Sequence, residues 1–367
     1  MKTILHLAPL VEAIVDPPPG GAEKLAFDLA RYQVSHGYRV QVIAATGSLP
    51  PPGVEFVDLG IPPGKLIPVD TALSASDYSS PINTETRMKI EEEVFRPVAQ
   101  YLENSRYKVD ILHNHAYDLL PLTQLGSLGI RTVHTLQLPP IVPWINDALR
   151  ALSSPTNVCY VVLSKAAQEL YHRNCGKQFQ VIYNGIDLSQ FPKPSMPEDY
   201  YLWAGRVSPE KGLHTAIDVV VRELGKRLIA VGRVYNEKYF QEEIRPRLTD
   251  QRVTYLGPRP HHELLELMSK SRALVFPLEW EEPFGLVIAE SLAAGTPVVA
   301  FNRGAAREII EHGVTGYLVS ELRELGAALQ SVGKLNRALC RESVVKQFSL
   351  AKSAANYESL YQELRDA

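Results

Sequence analysis

The sequence predicts an α/β protein built from two doubly wound parallel sheets. Strand-like and helix-like segments alternate from one end of the chain to the other, the pattern of βαβ units with right-handed crossovers. Several of the strand-like segments are continuous apolar runs, as parallel strands covered on both faces must be. A proline-rich interruption splits the alternation in two, and 367 residues correspond to about two domains.

In the first half, strands are expected at Thr3–Leu7, Arg39–Ala44, Val54–Leu59, Asp110–His115, Thr132–Leu136, Cys159–Leu163 and Gln180–Tyr183. In the second they fall at Tyr200–Ala204, Leu228–Val231, Val253–Leu256, Ala273–Phe276 and Pro297–Phe301. Helical periodicity occupies the gaps, as in Ala22–His36 and Leu213–Leu224. The stretch Pro62–Thr86, rich in Pro, Ser, Thr and Asp, reads as a long loop. The boundary lies in Leu188–Asp199, where Pro192, Pro194 and Pro197 break both periodicities. This gives a first Rossmann-like domain over residues 1–190 and a second over 191–349. Open sheets of this kind bind ligands beyond the carboxyl ends of their strands.

Composition removes several function classes. A hydrophobic fraction of 45% supports full cores, and a net charge of −3 without a lysine or arginine run leaves no footprint for nucleic acid. Three scattered cysteines, Cys159, Cys175 and Cys340, fit a reducing compartment and show no metal-ligand spacing. The segment after Lys2, TILHLAPLVEAIV, imitates a signal peptide. His6, Glu12 and the lack of a small-residue cleavage pattern argue for a first buried strand instead. No apolar run reaches the roughly 18 residues of a membrane span. A cytoplasmic protein is expected, with room for weak peripheral membrane association.

Chemistry concentrates in the second half. In FPLEWEEPFGLVIAESLAAGTPVVAF, Phe276–Phe301, two acids flank an apolar run: Glu282 precedes Pro283, Phe284, Gly285 and Leu286, and Glu290 follows. The run reads as a loop turning sharply into a buried helix that contains Glu290. A buried carboxylate costs several kcal/mol unless hydrogen bonds compensate it. Neighbouring ligand hydroxyls would do so; the alternative is an acid in a helix's early turns, helped by the macrodipole. Upstream, Arg206 leaves the strand end at Gly205 and Lys211 sits at a helix entrance, suiting a diphosphate. The alternative there is two exposed basic residues, one satisfied by Glu210. Between these pairs, Gly257 and Pro258 follow a strand. All fall at successive carboxyl ends of one sheet.

With these features in order, the chain resembles the retaining glycosyltransferases of family 4, which have the GT-B fold. The markers are Gly20-Gly21-Ala22-Glu23, Val181-Ile182-Tyr183-Asn184-Gly185-Ile186-Asp187, Gly205-Arg206 with Lys211-Gly212, and the E-x7-E motif of Glu282 and Glu290. The resemblance implies two facing Rossmann-like domains about a cleft, the first binding acceptor and the second the nucleotide-sugar donor. A terminal helix over 350–367 would cross back to the first domain, in keeping with the amphipathic Tyr357, Leu360, Tyr361 and Leu364. It implies that Glu290 holds the donor ribose. Glu282, with the backbone amides of Phe284, Gly285 and Leu286, would hold sugar hydroxyls and the distal phosphate. Arg206 and Lys211 would neutralise the diphosphate, and Gly257 and Pro258 would lie against the base. No metal or other cofactor would be needed. UDP- or GDP-sugars are the expected donors, and a sugar, lipid-linked or small-molecule hydroxyl the acceptor.

In the first half, Gly20 and Gly21 follow a proline cluster and open a helix. The pair is either a flexible turn or a close approach to phosphate; the resemblance makes both glycines donor-binding candidates. His113-Asn114-His115 ends a buried strand. Alternation is expected to send the two histidines to opposite faces, poor geometry for a shared metal. One would be structural, while His115 matches the residue near the reacting sugar. Two stretches depart from the family pattern. Gln137 stands where many relatives carry a histidine, and Gly304-Ala305-Ala306-Arg307-Glu308 replaces Gly-x-Pro-Glu. Gln137 can donate and accept hydrogen bonds but cannot titrate.

The resemblance further implies retention at the anomeric carbon. With no compelling nucleophile in the sequence, the expected route is front-face attack with the leaving diphosphate taking the acceptor's proton, and catalysis is electrostatic. A dehydrogenase would need Gly-x-Gly-x-x-Gly, and no Gly-x-Gly occurs. A non-catalytic nucleotide-sugar-binding subunit and another GT-B sugar-nucleotide enzyme, such as a phosphorylase or epimerase, are the remaining alternatives.

Overall fold

The computed structural model describes residues 2–15, 18, 20–66, 84–152, 156–192 and 195–366. The chain divides into two compact units, Met1–Gly185 with Leu350–Ala367, and Ile186–Ser349. Unit 1 carries β1 (Thr3–Leu7), β2 (Arg39–Ile43), β3 (Glu55–Val57), β4 (Ile111–Asn114), β5 (Thr132–Leu136), β6 (Val158–Val162) and β7 (Gln180–Val181). They form one sheet in the order β3-β2-β1-β4-β5-β6-β7, with every pairing parallel. Unit 2 carries β8 (Tyr201–Ala204), β9 (Leu228–Val231), β10 (Val253–Tyr255), β11 (Leu274–Phe276), β12 (Val298–Phe301) and β13 (Gly316–Val319). Its order is β10-β9-β8-β11-β12-β13, again parallel.

Both sheets wind outward from a central strand and then reverse. In unit 1 the reversal lies between β1 and β4; in unit 2 it lies between β8 and β11. The loops leaving those two strands diverge, which opens a crevice at the carboxyl edge. The central strands are fully buried, so both faces must be covered by helices and only the strand ends remain for chemistry.

Some elements differ from expectation. β13 was not anticipated: Gly316-Tyr317-Leu318-Val319 is short, half-buried at its centre and forms the sheet edge, so it lacks the continuous apolar signature. The helix at Leu213 is α-helical through Ile217 and then widens to a π-helix over Asp218–Glu223, where Leu224 N–H reaches back five residues to the Val219 carbonyl at 3.0 Å. Of the loop expected at Pro62–Thr86, residues 67–83 lie outside the described residues, and its last three residues begin the helix Thr84–Ser105.

The terminal helix Leu350–Asp366 belongs to unit 1 and buries Tyr357, Leu360, Tyr361 and Leu364. Ser353 Oγ donates to the Tyr183 carbonyl at 2.8 Å, and Gly185 lets the helix backbone approach, since a Cβ there would stand 2.6 Å from Leu350 Cα. Among the described residues no helix is long and apolar enough to cross a membrane.

Candidate active site

In unit 2 the loops after β8 and β11 leave the sheet on either side of its reversal. The first ends in a 3-10 turn, Pro209–Lys211, and the second runs from Pro277 to the helix Leu286–Ala293. Gly212 takes φ +68°, and a Cβ on it would lie 2.2 Å from the Pro277 carbonyl oxygen, so only glycine lets the two loops touch. Gly304, with φ +51°, does the same on the other side: a Cβ there would strike the Glu282 backbone at 2.5 Å. Ala305 N–H donates to the Glu282 carbonyl at 3.0 Å, and Gly304 N–H to Glu281 Oε2 at 2.8 Å. The stretch that departs from the family pattern therefore seats the Glu282 loop.

Those seats bring two sequence-predicted residues into contact. Lys211 Nζ donates to Glu282 Oε2 at 2.6 Å, and the indole Nε1–H of Trp280 donates to the same oxygen at 2.6 Å. The lysine ammonium lies 4.5 Å from the centre of the Trp280 ring, a cation–π arrangement. Trp203, buried in the sheet, donates its Nε1–H to the Lys211 carbonyl at 3.0 Å and fixes the backbone beneath. Lys211 is thus buried and paired with Glu282, not an exposed residue satisfied by Glu210. Glu210 instead accepts from the Ser208 hydroxyl.

Glu290 lies in the helix Leu286–Ala293 and is 6% exposed. The partner that a buried carboxylate requires is present: His261 Nε2 lies 2.9 Å from Glu290 Oε1. His261 opens the helix His261–Lys270, three residues beyond Pro258. Gly257 is left-handed at φ +69°, and its carbonyl accepts from Gly232 N–H at 3.0 Å. The Arg206 guanidinium lies 4.4 Å above the Tyr235 ring. The Phe284 side chain packs edge-on against Phe348, so this residue can offer a ligand only its backbone. Gly285 caps the helix at φ +88°, and Leu286 begins it. First-turn N–H groups of such a helix lack intrahelical partners and favour anions. Trp280 and His261 escaped the sequence reading; the signal for Trp280 was an aromatic two residues before an acid in a loop.

In unit 1, Gly20 is extended (φ −158°) and Gly21 begins the helix Gly21–Ser35. Neither needs left-handed freedom; a Cβ on Gly20 would approach only the Glu23 carboxylate, at 2.7 Å. The histidines correct an expectation. His113 and His115 do not point to opposite faces: their rings stack with centroids 4.0 Å apart, and His6 joins them. The reason is the pleat itself, whose period of two places residues i and i+2 on one face. One nitrogen from each of His6, His113 and His115 lies within 4.8 Å of the others, the spacing of a metal centre. Every ring nitrogen nevertheless has a hydrogen-bond partner. His6 meets Gln33 Oε1 (2.7 Å) and His115 (3.0 Å); His113 meets Tyr361 OH and Thr135 Oγ1, both at 2.7 Å; His115 meets Gln137 Nε2 at 3.4 Å. Burial pulls His6 down to about 4, and it holds His113 and His115 well below the usual histidine range. The cluster is a neutral hydrogen-bonded network.

Comparison with known proteins covers both units. The Glycosyltransferase Family 4 model matches residues 19–190, and the Glycosyl transferases group 1 model matches residues 187–337. The glycogen synthase of Mycobacterium tuberculosis is 28% identical over 252 residues, 62% of this chain; the chain spans 60% of that protein's length. The N-acetyl-alpha-D-glucosaminyl L-malate synthase of Bacillus anthracis is 28% identical over 297 residues, 71% of this chain and 77% of that protein. Among solved structures, Anabaena HepE in complex with UDP-glucose superposes with a TM-score of 0.74 at 21% identity, over 99% of this chain and all of the other. At that identity the match shows the fold, which is GT-B.

Proposed function

The chain belongs to the group 1 glycosyl transferases of family 4, and on that premise we propose that it moves a hexosyl group from a UDP- or GDP-sugar to an acceptor hydroxyl with retention. The observation that carries this reading is the Lys211–Glu282 pair at the reversal point of the second sheet, 2.6 Å apart and largely withdrawn from solvent. A cation and an acid held there suit a ligand that is anionic at one end and hydroxyl-rich at the other. Diphosphate would take Lys211 and Arg206 together with the helix N-terminus at Leu286, and Glu282 would turn to sugar hydroxyls. Glu290 would bind the ribose, with His261 orienting its carboxylate. Gly257 and Pro258 would flank the base.

We assign unit 2 the donor and unit 1 the acceptor, a sugar, lipid-linked or small-molecule hydroxyl. His115, expected near the reacting sugar, is fully buried with both ring nitrogens taken by His6 and Gln137, so it would act behind the acceptor side as a neutral group without touching the sugar itself. The leaving diphosphate would accept the acceptor's proton on the same face, while Lys211 and Arg206 stabilise the charge growing on it. These cations would stand in for a divalent ion, so no metal is assigned.

The test is to incubate the protein with UDP-, GDP- and ADP-sugars and candidate acceptors and to follow nucleotide release. Acceptor-dependent release from one donor is expected, undiminished by EDTA. Loss of all activity with EDTA, restored by magnesium or manganese, would reject metal independence; no release from any donor would reject transfer. Glu290→Ala is expected to weaken binding of the matching nucleoside diphosphate about 10- to 100-fold, the worth of hydrogen bonds to a charged group. Unchanged affinity in titration calorimetry would remove Glu290 from the ribose.

A further inference from the structure

The buried network of unit 1 has a direction. Gln33, on the inner face of the helix Gly21–Ser35, is completely buried and uses both ends of its amide. Its Oε1 lies 2.7 Å from His6 Nε2, and its Nε2 donates to Tyr361 OH over a longer 3.5 Å. An amide oxygen only accepts, so His6 carries its proton on Nε2. The neutral ring then leaves Nδ1 bare, and the His115 nitrogen 3.0 Å away must donate to it. His115 therefore also carries its proton on Nε2. Its own Nδ1 is bare, and Gln137 donates to it from Nε2 at 3.4 Å. The second branch agrees. Tyr361, accepting from Gln33, donates its O–H to His113 Nδ1 at 2.7 Å, and His113 donates from Nε2 to Thr135 at 2.7 Å. All three histidines share one tautomer.

Donation therefore runs from Gln137 through His115 and His6 to the Gln33 oxygen, and Gln137 is the outer end of the chain. Gln33, His6 and His115 are fully buried, whereas Gln137 is half-buried, just beyond the carboxyl end of β5. Its amide nitrogen is engaged with His115, and no donor among the described residues meets its oxygen. We infer that Gln33 is a positioning residue: through His6 and His115 it fixes the Gln137 amide with its oxygen presented, as an acceptor for a hydroxyl of the bound sugar. A histidine here could present either nitrogen as donor or acceptor; in the amide, oriented from behind, one N–H is spent on His115 and the oxygen is turned outward as the acceptor. The identity of the ligand rests on the glycosyl-transfer reading, but the relay does not.

Tautomers are read directly by long-range 1H–15N correlation spectra of the full chain labelled with 15N-histidine, without ligand, at pH 7.5. His6, His113 and His115 are expected as Nε2–H. Gln137→Met should leave that pattern intact, because the direction is set upstream. Gln33→Met, which keeps the volume but removes the amide, should turn His115 into a mixture of tautomers. His115 as Nδ1–H in the parent protein would overturn the relay, as would a tautomer that follows Gln137 and ignores Gln33. In the nucleotide-release assay, Gln137→Met is expected to lower kcat/KM about tenfold, the scale of one lost hydrogen bond; an unchanged value would remove the sugar contact. A fixed tautomer without transfer activity would sink the enzymatic reading and leave the relay standing. Transfer activity with Nδ1–H would do the reverse.

Discussion

Lys211→Ala is expected to lower turnover of the donor selected by the release assay by about 10²–10³-fold, the range seen when one preorganised charge-stabilising group is removed. Preorganisation is visible at both ends of the side chain. The ammonium is held by Glu282 at 2.6 Å and by the Trp280 ring at 4.5 Å, and the backbone by Trp203 and by the close approach at Gly212. A cation so fixed needs no rearrangement as charge grows on the leaving diphosphate. The truncation also strips Glu282 of its counter-ion, and removing one partner of a buried pair costs about 3–5 kcal/mol at full burial. Here the side chains are 9% and 14% exposed, so the loss is smaller but still depresses the melting temperature. Combining Lys211→Ala with Glu282→Gln separates the two effects. The neutral amide can still accept from Trp280, so stability should recover while turnover stays low. A single variant within about tenfold of the parent rate, or a double variant that regains both stability and rate, would show that Lys211 serves the fold alone.

The fold was legible because parallel, doubly covered strands leave an unmistakable apolar trace. Leu228–Val231 and Thr3–Leu7 were read to the residue. β13 escaped because an edge strand with Tyr317 and Leu318 half-exposed carries no such trace. In the candidate site, burial of Glu290 within its helix could be read from its apolar neighbours, and so could its need for a partner. The partner could not: His261 lies 29 positions away, on a different helix, and nothing local marks it. Likewise Lys211 and Glu282, 71 positions apart, could be placed at neighbouring strand ends, but their direct pairing depends on Gly212 and Gly304 clamping two loops. The histidines show the opposite failure. Their side-sharing was fixed by strand period alone and was misread, whereas Gln33, a polar residue on a helix's buried face, is understood only once His6 is found against it.

Acid should unfold unit 1 well before the carboxylates of an ordinary domain would. Four of its histidines are buried and neutral: burial lowers His6 to about 4 and His134 to about 3, and holds His113 and His115 well below the usual value. In the unfolded chain each titrates near 6.5, so below that pH the unfolded state binds protons that the folded state refuses. Stability is therefore present above about pH 6.5 and is lost as pH falls toward 4, by up to about 1.4 kcal/mol per pH unit for each group. An opposing term exists. Asp118 and Glu91 share the single guanidinium of Arg87 at 3.2 Å, and burial raises both, Asp118 to about 7. Raised carboxyls favour the folded state as pH drops through the same window. Four histidines outnumber the two acids, so the net effect is a loss of stability as pH falls through this window. Urea pulse proteolysis at stepped pH, with fragments assigned by mass to the two units, reads this directly. The midpoint for unit 1 should fall steeply between pH 6.5 and 4.5. His134→Phe should flatten the slope by about one proton, because His134 stacks on Tyr160 with centroids 4.8 Å apart and its Nε2 has no hydrogen-bond partner among the described residues. A midpoint for unit 1 that holds or rises over that range would mean that the histidines take up protons while folded, and the neutral network around His115 would go with it.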